Sequence, residues 1–153
     1  MSLLGTAAPD VALINTARER VSLSELRGGQ RLIIAFYPAA FSGLCDQEMC
    51  TFQGHLARLN EASVQVVGIS PDSPFANAKF AEAYGLTFPL LSDLHLVAAT
   101  AFGVRFENFA FIEGYTAFNR AVFVVDEAVN IGFEWVGEHP GMLPDYDAVL
   151  AAC

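Results

Sequence analysis

Two kinds of hydrophobic pattern alternate along the chain. Arg31 to Tyr37 (RLIIAFY) is a compact apolar run closed by Pro38, and Val64 to Ser70 (VQVVGIS) is another. Both have the length and composition of strands buried on two faces. Between them Met49, Phe52, Leu56 and Leu59 recur at helical spacing, so an amphipathic helix is predicted from about Cys45 to Asn60, with Ser42 as its candidate cap. A second helix is predicted over Phe75 to Tyr84, stopped by Gly85, then a short strand over Phe88 to Ser92 and a helix over Leu94 to Phe102 ended by Gly103. Ala121 to Asp126 and Ile131 to Val136 predict two strands joined by a turn at Asp126 to Asn130, and Pro144 to Ala152 a closing helix.

Two stretches follow no such period. Residues 1–30 are rich in turns, with short apolar pieces at Val11 to Leu13 and at Val21 and a helical turn at Ser22 to Leu26, which predicts a hairpin ahead of the main sheet. Residues 104–118 (VRFENFAFIEGYTAF) are predicted to form a long aromatic loop of the kind that serves as a lid or an interface. Phe102, Phe106, Phe109, Phe111, Tyr115 and Phe118 would then cover a site or form a homodimer seam. Parallel strand-helix-strand units followed by a hairpin and a helix describe an α/β protein. The expected architecture is a thioredoxin-like fold, a central mixed β-sheet flanked by helices with an N-terminal hairpin extension. At 153 residues, a single domain over residues 1–153 is expected.

Composition narrows the function. A 54% hydrophobic, 16% charged chain has a well-filled interior and is not disordered. Net charge is -9, Lys79 is the only lysine and the arginines are scattered, so no basic face exists to neutralise nucleic-acid phosphates. The N-terminus lacks a charged lead and an apolar run of signal-peptide length, and the longest apolar stretches are strand-sized, so no membrane association and a cytoplasmic location are expected. Three cysteines in a chain of this size argue against a secreted disulfide framework. Reactive or buried thiols remain.

The chemistry concentrates in Phe36 to Cys50, FYPAAFSGLCDQEMC. A helix beginning near Cys45 aims unpaired N–H groups and its positive dipole end at that sulfur, which favours thiolate over thiol. The competing reading is an inert core cysteine. Cys45 and Cys50 on one intact helix lie about 8.7 Å apart at Cα and roughly 140° around the axis. A disulfide rarely spans more than about 7 Å, so a bridge between them requires the segment to unwind.

Pro38, Ser42 and Cys45 are spaced as in the P-x-x-x-[T/S]-x-x-C signature, and the chain resembles the peroxiredoxins. Ala8-Pro9-Asp10, the run Val21 to Gly28, Glu48, and Arg120 to Asp126 are similar to that family in the same order, so the resemblance spans essentially the whole chain. It mixes features of the AhpE-like branch with those of the bacterioferritin-comigratory or Q-type branch, the latter for its C-x-x-x-x-C pair. The resemblance implies a cysteine-dependent peroxidase acting on hydrogen peroxide, organic hydroperoxides or peroxynitrite without a metal or organic cofactor. It implies Cys45 as the peroxidatic thiolate and Ser42 as a hydroxyl donor to sulfur or peroxide, with the N–H groups of Leu44 and Cys45 as further donors. Pro38 would shield the sulfur, Arg120 would hold the thiolate and stabilise the leaving oxygen, and Glu48 would orient Arg120. Serine stands where threonine is commoner, which keeps the hydroxyl but loses the methyl that restricts χ1.

Resolution of the resulting sulfenic acid falls first to Cys50 and then to Cys153, with recycling by a thioredoxin-like or other thiol reductant. The alternatives are a single-cysteine peroxidase with Cys50 inert, a thiol-disulfide oxidoreductase, for which the C-x-x-C pair is missing, and a binding protein using the aromatic loop. A metal module on Cys45, Cys50 and His55 would need ligands that fan around an intact helix. His95 and His139 are expected in loops or on the surface.

Overall fold

A computed structural model describes residues 2–153. The strands are β1 (Ala12–Asn15), β2 (Arg20–Ser22), β3 (Arg31–Phe36), β4 (Val64–Ser70), β5 (Leu90–Ser92), β6 (Arg105–Phe106), β7 (Ala117–Phe118), β8 (Ala121–Val125) and β9 (Ile131–Val136). The helices are α1 (Leu23–Arg27), α2 (Leu44–Glu61), α3 (Pro74–Tyr84), α4 (Val97–Phe102) and α5 (Tyr146–Ala151). Seven strands form one mixed sheet in the order β2-β1-β5-β4-β3-β8-β9, and β6 pairs with β7 separately. β3, β4 and β5 are parallel, as crossovers through α2 and α3 require, whereas β8 runs antiparallel to β3 and β9 to β8. The predicted N-terminal hairpin is present, and β1 joins the sheet by pairing with β5. This is the mixed, helix-flanked α/β sheet expected from the alternating runs.

The buried strands carry side chains into cores on both faces. Ile33, Ala35, Val64 and Val66 meet Met49, Phe52, Leu56 and Leu59 of α2, each large side chain contributing about 1.5–3 kcal/mol when buried. Gly68 in β4 sits in a crowded part of the core. A Cβ there would lie 2.7 Å from Leu90 Cδ2, 3.1 Å from Tyr37 Cε1 and 3.2 Å from Met49 Sδ. A larger residue would force the Leu90, Tyr37 and Met49 side chains to repack.

Several elements differ from the expectations in ways that have local causes. Asp93 is buried and accepts from the N–H groups of Val97 (2.8 Å) and Ala99 (2.9 Å), so α4 begins at Val97 and not at Leu94. Asp145 caps α5 through the Ala148 N–H at 3.2 Å, which leaves Pro144 outside the helix. Residues 104–118 are not one loop. Val104, Ala117 and Phe118 are buried, β6 and β7 form a short ladder, and a 3-10 turn at Phe109–Phe111 makes the tip. Phe102 and Phe118 pack on Phe36 at 5.1 and 5.6 Å between ring centres, so they belong to the core. The signal was obscured because two-residue strands are too short to show a period.

Candidate active site

β3 ends against β4, where the Tyr37 N–H still donates to Ile69 O at 3.0 Å, and Pro38 then removes the next donor. The chain turns through residues 39–43 before α2 starts. Ala40 N–H donates to Asp72 Oδ2 at 2.8 Å, and Phe41 has a left-handed φ of 63°. Gly43, with φ 80° and ψ -66°, closes a three-residue turn in which the Leu44 N–H donates to Ser42 O at 2.9 Å. That conformation is strained and suits glycine. Ser42 is therefore not the cap of α2. Gly43 occupies that position, no side chain caps the helix, and the Ser42 hydroxyl donates to Ala39 O at 2.7 Å.

The Leu44 N–H is thus committed within the turn, while among the described residues no acceptor engages the Cys45 N–H. Cys45 follows directly and is fully buried. Glu48, three residues on, shares its helix face and is also fully buried. Arg120 reaches them by sheet register. Phe36 pairs with Ala121 across β3 and β8, so Tyr37 and Arg120 leave the two strands at the same edge, next to the start of α2. Arg120 Nη1 donates to Cys45 Sγ at 3.3 Å and to Glu48 Oε1 at 2.9 Å. Its Nε and Nη2 both donate to Pro140 O, at 3.2 and 3.1 Å. A guanidinium can hold three acceptors at once because its donors form a rigid planar fork.

The backbone of Arg120 is secured as well. Asn119 Oδ1 accepts from the Arg120 N–H at 2.9 Å, Asn119 Nδ2 donates to Gly137 O, and the Gly137 N–H donates to Arg120 O at 3.0 Å. Asn119 and the Pro140 carbonyl were not singled out in the sequence. A loop asparagine and a backbone oxygen carry no periodic signal, and only the fold brings them to Arg120.

Electrostatics at the ion pair pull in two directions. Burial pushes the Glu48 carboxyl up to about 7 against the opposing effect of Arg120. Burial works against the Arg120 charge too, but Glu48 and Cys45 carry the guanidinium above its ordinary value. The site is therefore firmly cationic at Arg120 and protonatable near neutral pH at Glu48. Behind it, the buried Tyr37 hydroxyl donates to Asn77 Oδ1 at 2.7 Å, and burial raises that phenol.

Pro38, Ser42, Leu44 and Arg120 open onto a cavity of ≈ 650 Å³ that is also lined by Phe106, Phe109 and Phe111, with Glu107 and Asn108 between them, and by His139 and Pro140. The aromatic hairpin thus stands beside the site. His139 lies in a loop, where its Nδ1 accepts from the Gly141 N–H at 3.1 Å.

The other two cysteines are not at the site. Cys50 is exposed on α2, and burial followed by the Asp46 charge raises its thiol. Cys153 donates to Val149 O at 3.4 Å and lies close enough to Arg31 to feel its charge. Arg31 begins β3 and Cys45 follows its other end, so six residues of strand, about 20 Å, separate the two regions. Cys45, Cys50 and His55 do not converge, and among the described residues no group of three or more His, Cys, Asp or Glu side chains is placed to hold a metal. No helix among them is long and apolar enough to cross a membrane.

Comparison with known proteins gives consistent relatives. The AhpC/TSA family matches residues 4–133. A putative peroxiredoxin of Mycobacterium tuberculosis is 42% identical over 123 residues, 80% of this chain and 78% of that one. Alkyl hydroperoxide reductase E of the same species is 33% identical over 144 residues, covering 93% and 90%. The crystal structure of peroxidoxin BcpB from M. tuberculosis superposes with a TM-score of 0.87 at 28% identity, covering 99% of this chain and 96% of that one.

Proposed function

The chain belongs to the AhpC/TSA family and is a peroxiredoxin, a thiol-dependent peroxidase, and from that premise we propose how its residues divide the reaction. Cys45 is the attacking sulfur. Its thiolate forms an S–O bond to one peroxide oxygen as the O–O bond breaks, leaving a sulfenic acid and an alkoxide or hydroxide that takes up a proton. Arg120 supplies the positive charge against which the leaving oxygen develops, and Glu48 with Pro140 O keeps the guanidinium aimed. Pro38 walls off the sulfur, and the Ser42 hydroxyl reaches peroxide by turning about χ1 away from Ala39. The observation that carries the reading is the sharing of one guanidinium nitrogen between Cys45 Sγ and Glu48 Oε1.

The aromatic wall of the cavity supports organic hydroperoxides as substrates beside hydrogen peroxide. Cys50 resolves the sulfenic acid: its thiolate attacks Cys45, the S–S bond forms as the S–O bond breaks, and the oxygen leaves as hydroxide that takes a proton from solvent to become water. An external dithiol of the thioredoxin type then returns two electrons by exchange. Cys50 is exposed and on the same helix, which favours it over Cys153, but the first turns of α2 must open. The intact helix also supports a second route, in which an external thiol attacks the Cys45 sulfur directly, forming a mixed disulfide and releasing water, and a second thiol then frees Cys45 by exchange. The hairpin tip, where Phe111 is fully exposed, is the proposed seam of a homodimer, read by sedimentation of the reduced and oxidised protein.

Peroxide consumption by wild type, Cys45→Ser and Cys50→Ser tests the scheme. Cys45→Ser is expected to abolish turnover, and unchanged activity would remove the basis of the whole reading. Cys50→Ser is expected to keep the first oxidation and lose the intramolecular disulfide in peptide maps. Full recycling by a dithiol without Cys50 would establish the external route instead.

A further inference from the structure

The ion pair at the site leaves one oxygen unclaimed. Arg120 occupies Glu48 Oε1, whereas Glu48 Oε2 is buried without a hydrogen-bond partner. A second buried orphan lies on the adjoining helix: the hydroxyl of Tyr146, first residue of α5, likewise has no partner. One is an acceptor and the other a donor. Buried polar groups are normally paired, so two unpaired atoms of complementary kind on helices that pack together call for a physical account.

Helix geometry brings them to the same place. Glu48, Thr51 and Phe52 stand at i, i+3 and i+4 on α2 and so share a face. The Tyr146 ring packs edge-on against Phe52, 5.6 Å between centres at 80°. Its hydroxyl therefore lies over the face carrying Glu48. The electrostatics agree, since burial and then the Glu48 charge push the phenol up to about 12. Thr51 lies close enough to the Tyr146 hydroxyl to lower that phenol, but its own hydroxyl donates to Gln47 O at 2.9 Å, so it does not satisfy the acid.

We propose that Tyr146 is a positioning residue for the peroxidase reaction, its hydroxyl donating to Glu48 Oε2, directly as the side chains relax or across one water. The inference rests on Cys45 being the attacking sulfur. A donor on Oε2 stabilises the charged carboxylate, and the charged carboxylate holds Arg120 toward Cys45. Four groups face this carboxylate: Arg120 from the start of β8, Cys45 from α2, Tyr37 from the end of β3 and Tyr146 from α5. Arg120 alone donates to it now, so Tyr146 supplies the second hold. The C-terminal helix thereby takes part in the chemistry without touching the peroxide.

The sign of the effect follows from the donor. Removing the hydroxyl withdraws stabilisation from charged Glu48, so its pKa rises and less carboxylate remains on the acid side of neutrality. Stopped-flow measurement of the oxidation rate from pH 5.5 to 9, in wild type, Tyr146→Phe, Glu48→Gln and the double variant, tests this. Near-UV circular dichroism accompanies it to establish native packing. Tyr146→Phe is expected to move the acid limb up by about half to one pH unit, which lowers the rate roughly threefold to tenfold on that limb and converges with wild type at high pH. In the Glu48→Gln background the same change is expected to alter the rate less than about twofold. Superimposable pH profiles, or an equal uniform loss in both backgrounds, would overturn the proposal. Retained peroxidase activity in Cys45→Ser would instead overturn the reading beneath it, so the two failures are distinguishable.

Discussion

On one side of Cys45, Arg120 ties three parts of the chain together. Its side chain reaches two residues of α2 and the Pro140 carbonyl, and Asn119 and Gly137 hold its backbone. On the other side, residues 39–43 enter α2 through two left-handed positions, without a capping side chain, and with Phe41, Ser42 and Gly43 exposed. Few contacts restrain that side. The Tyr84 hydroxyl donates to Asp46 in the first turn of α2, Phe41 stacks on Phe80 and Tyr84 at 5.2 and 6.2 Å, and Ala40 is held by Asp72. The difference separates two requirements of a thiol peroxidase. A charge must be held still while the O–O bond breaks, and the sulfur must later be released to meet another thiol. Cys45 sits on the border between the two, so opening can start on the weakly held side, and unwinding as far as Cys50 would also carry Glu48 away from Arg120.

The largest expected effect comes from breaking the rigid side. Arg120→Lys keeps the charge but loses the fork that reaches sulfur, carboxylate and carbonyl together, and is expected to slow Cys45 oxidation by roughly a hundredfold. Stopped-flow traces with hydrogen peroxide measure it; a loss below threefold would show that charge alone suffices.

The next effect is on stability. Glu48 has its carboxyl raised from 4.5 to about 7 by burial, so the folded state binds a proton that the unfolded state has released over that interval. The stabilisation from neutral Glu48 is fully present below the unfolded pKa and is lost as pH rises through the folded one. Relative to Glu48→Gln, wild type is expected to lose on the order of 3 kcal/mol between those limits. Denaturant melts of both proteins at pH 5 and pH 8 read the difference, and parallel pH dependence would contradict the assignment.

The smallest effect loosens the other side. Tyr84→Phe deletes the hydroxyl that donates to Asp46 and is expected to speed Cys45–Cys50 disulfide formation by roughly twofold to tenfold, the range of one net hydrogen bond. The first oxidation should be unchanged. A slower disulfide step, or equal loss in both steps, would show that the two sides are not separable.

The alternating runs made β3, α2, β4 and α3 readable to within a residue or two, because β3 and β4 are compact apolar runs of strand length and α2 carries a helical period long enough to count. Cys45 and Glu48 were readable as neighbours for the same reason, being three apart on a predicted helix. Arg120 was different. The scarcity of basic residues in the apolar C-terminal half marked it as worth examining, but nothing local distinguishes it from an arginine at a strand edge, and its role came only from likeness to a family. The Ser42 cap failed because a strained glycine turn took its place, and the aromatic stretch hid a hairpin that was too short to show alternation.

What the sequence by itself determined is therefore the main strands and helices outside residues 104–118, the helix-start cysteine, and the distance at which an intact helix keeps Cys50. All of these follow from spacing along one segment. What only the tertiary structure decided is the pairing of Phe36 with Ala121 that delivers Arg120, the Pro140 carbonyl behind it, the aromatic wall of the cavity and the meeting of α5 with α2. Those contacts join residues far apart along the chain, and their partners are chosen by sheet register and core packing, which no local period records.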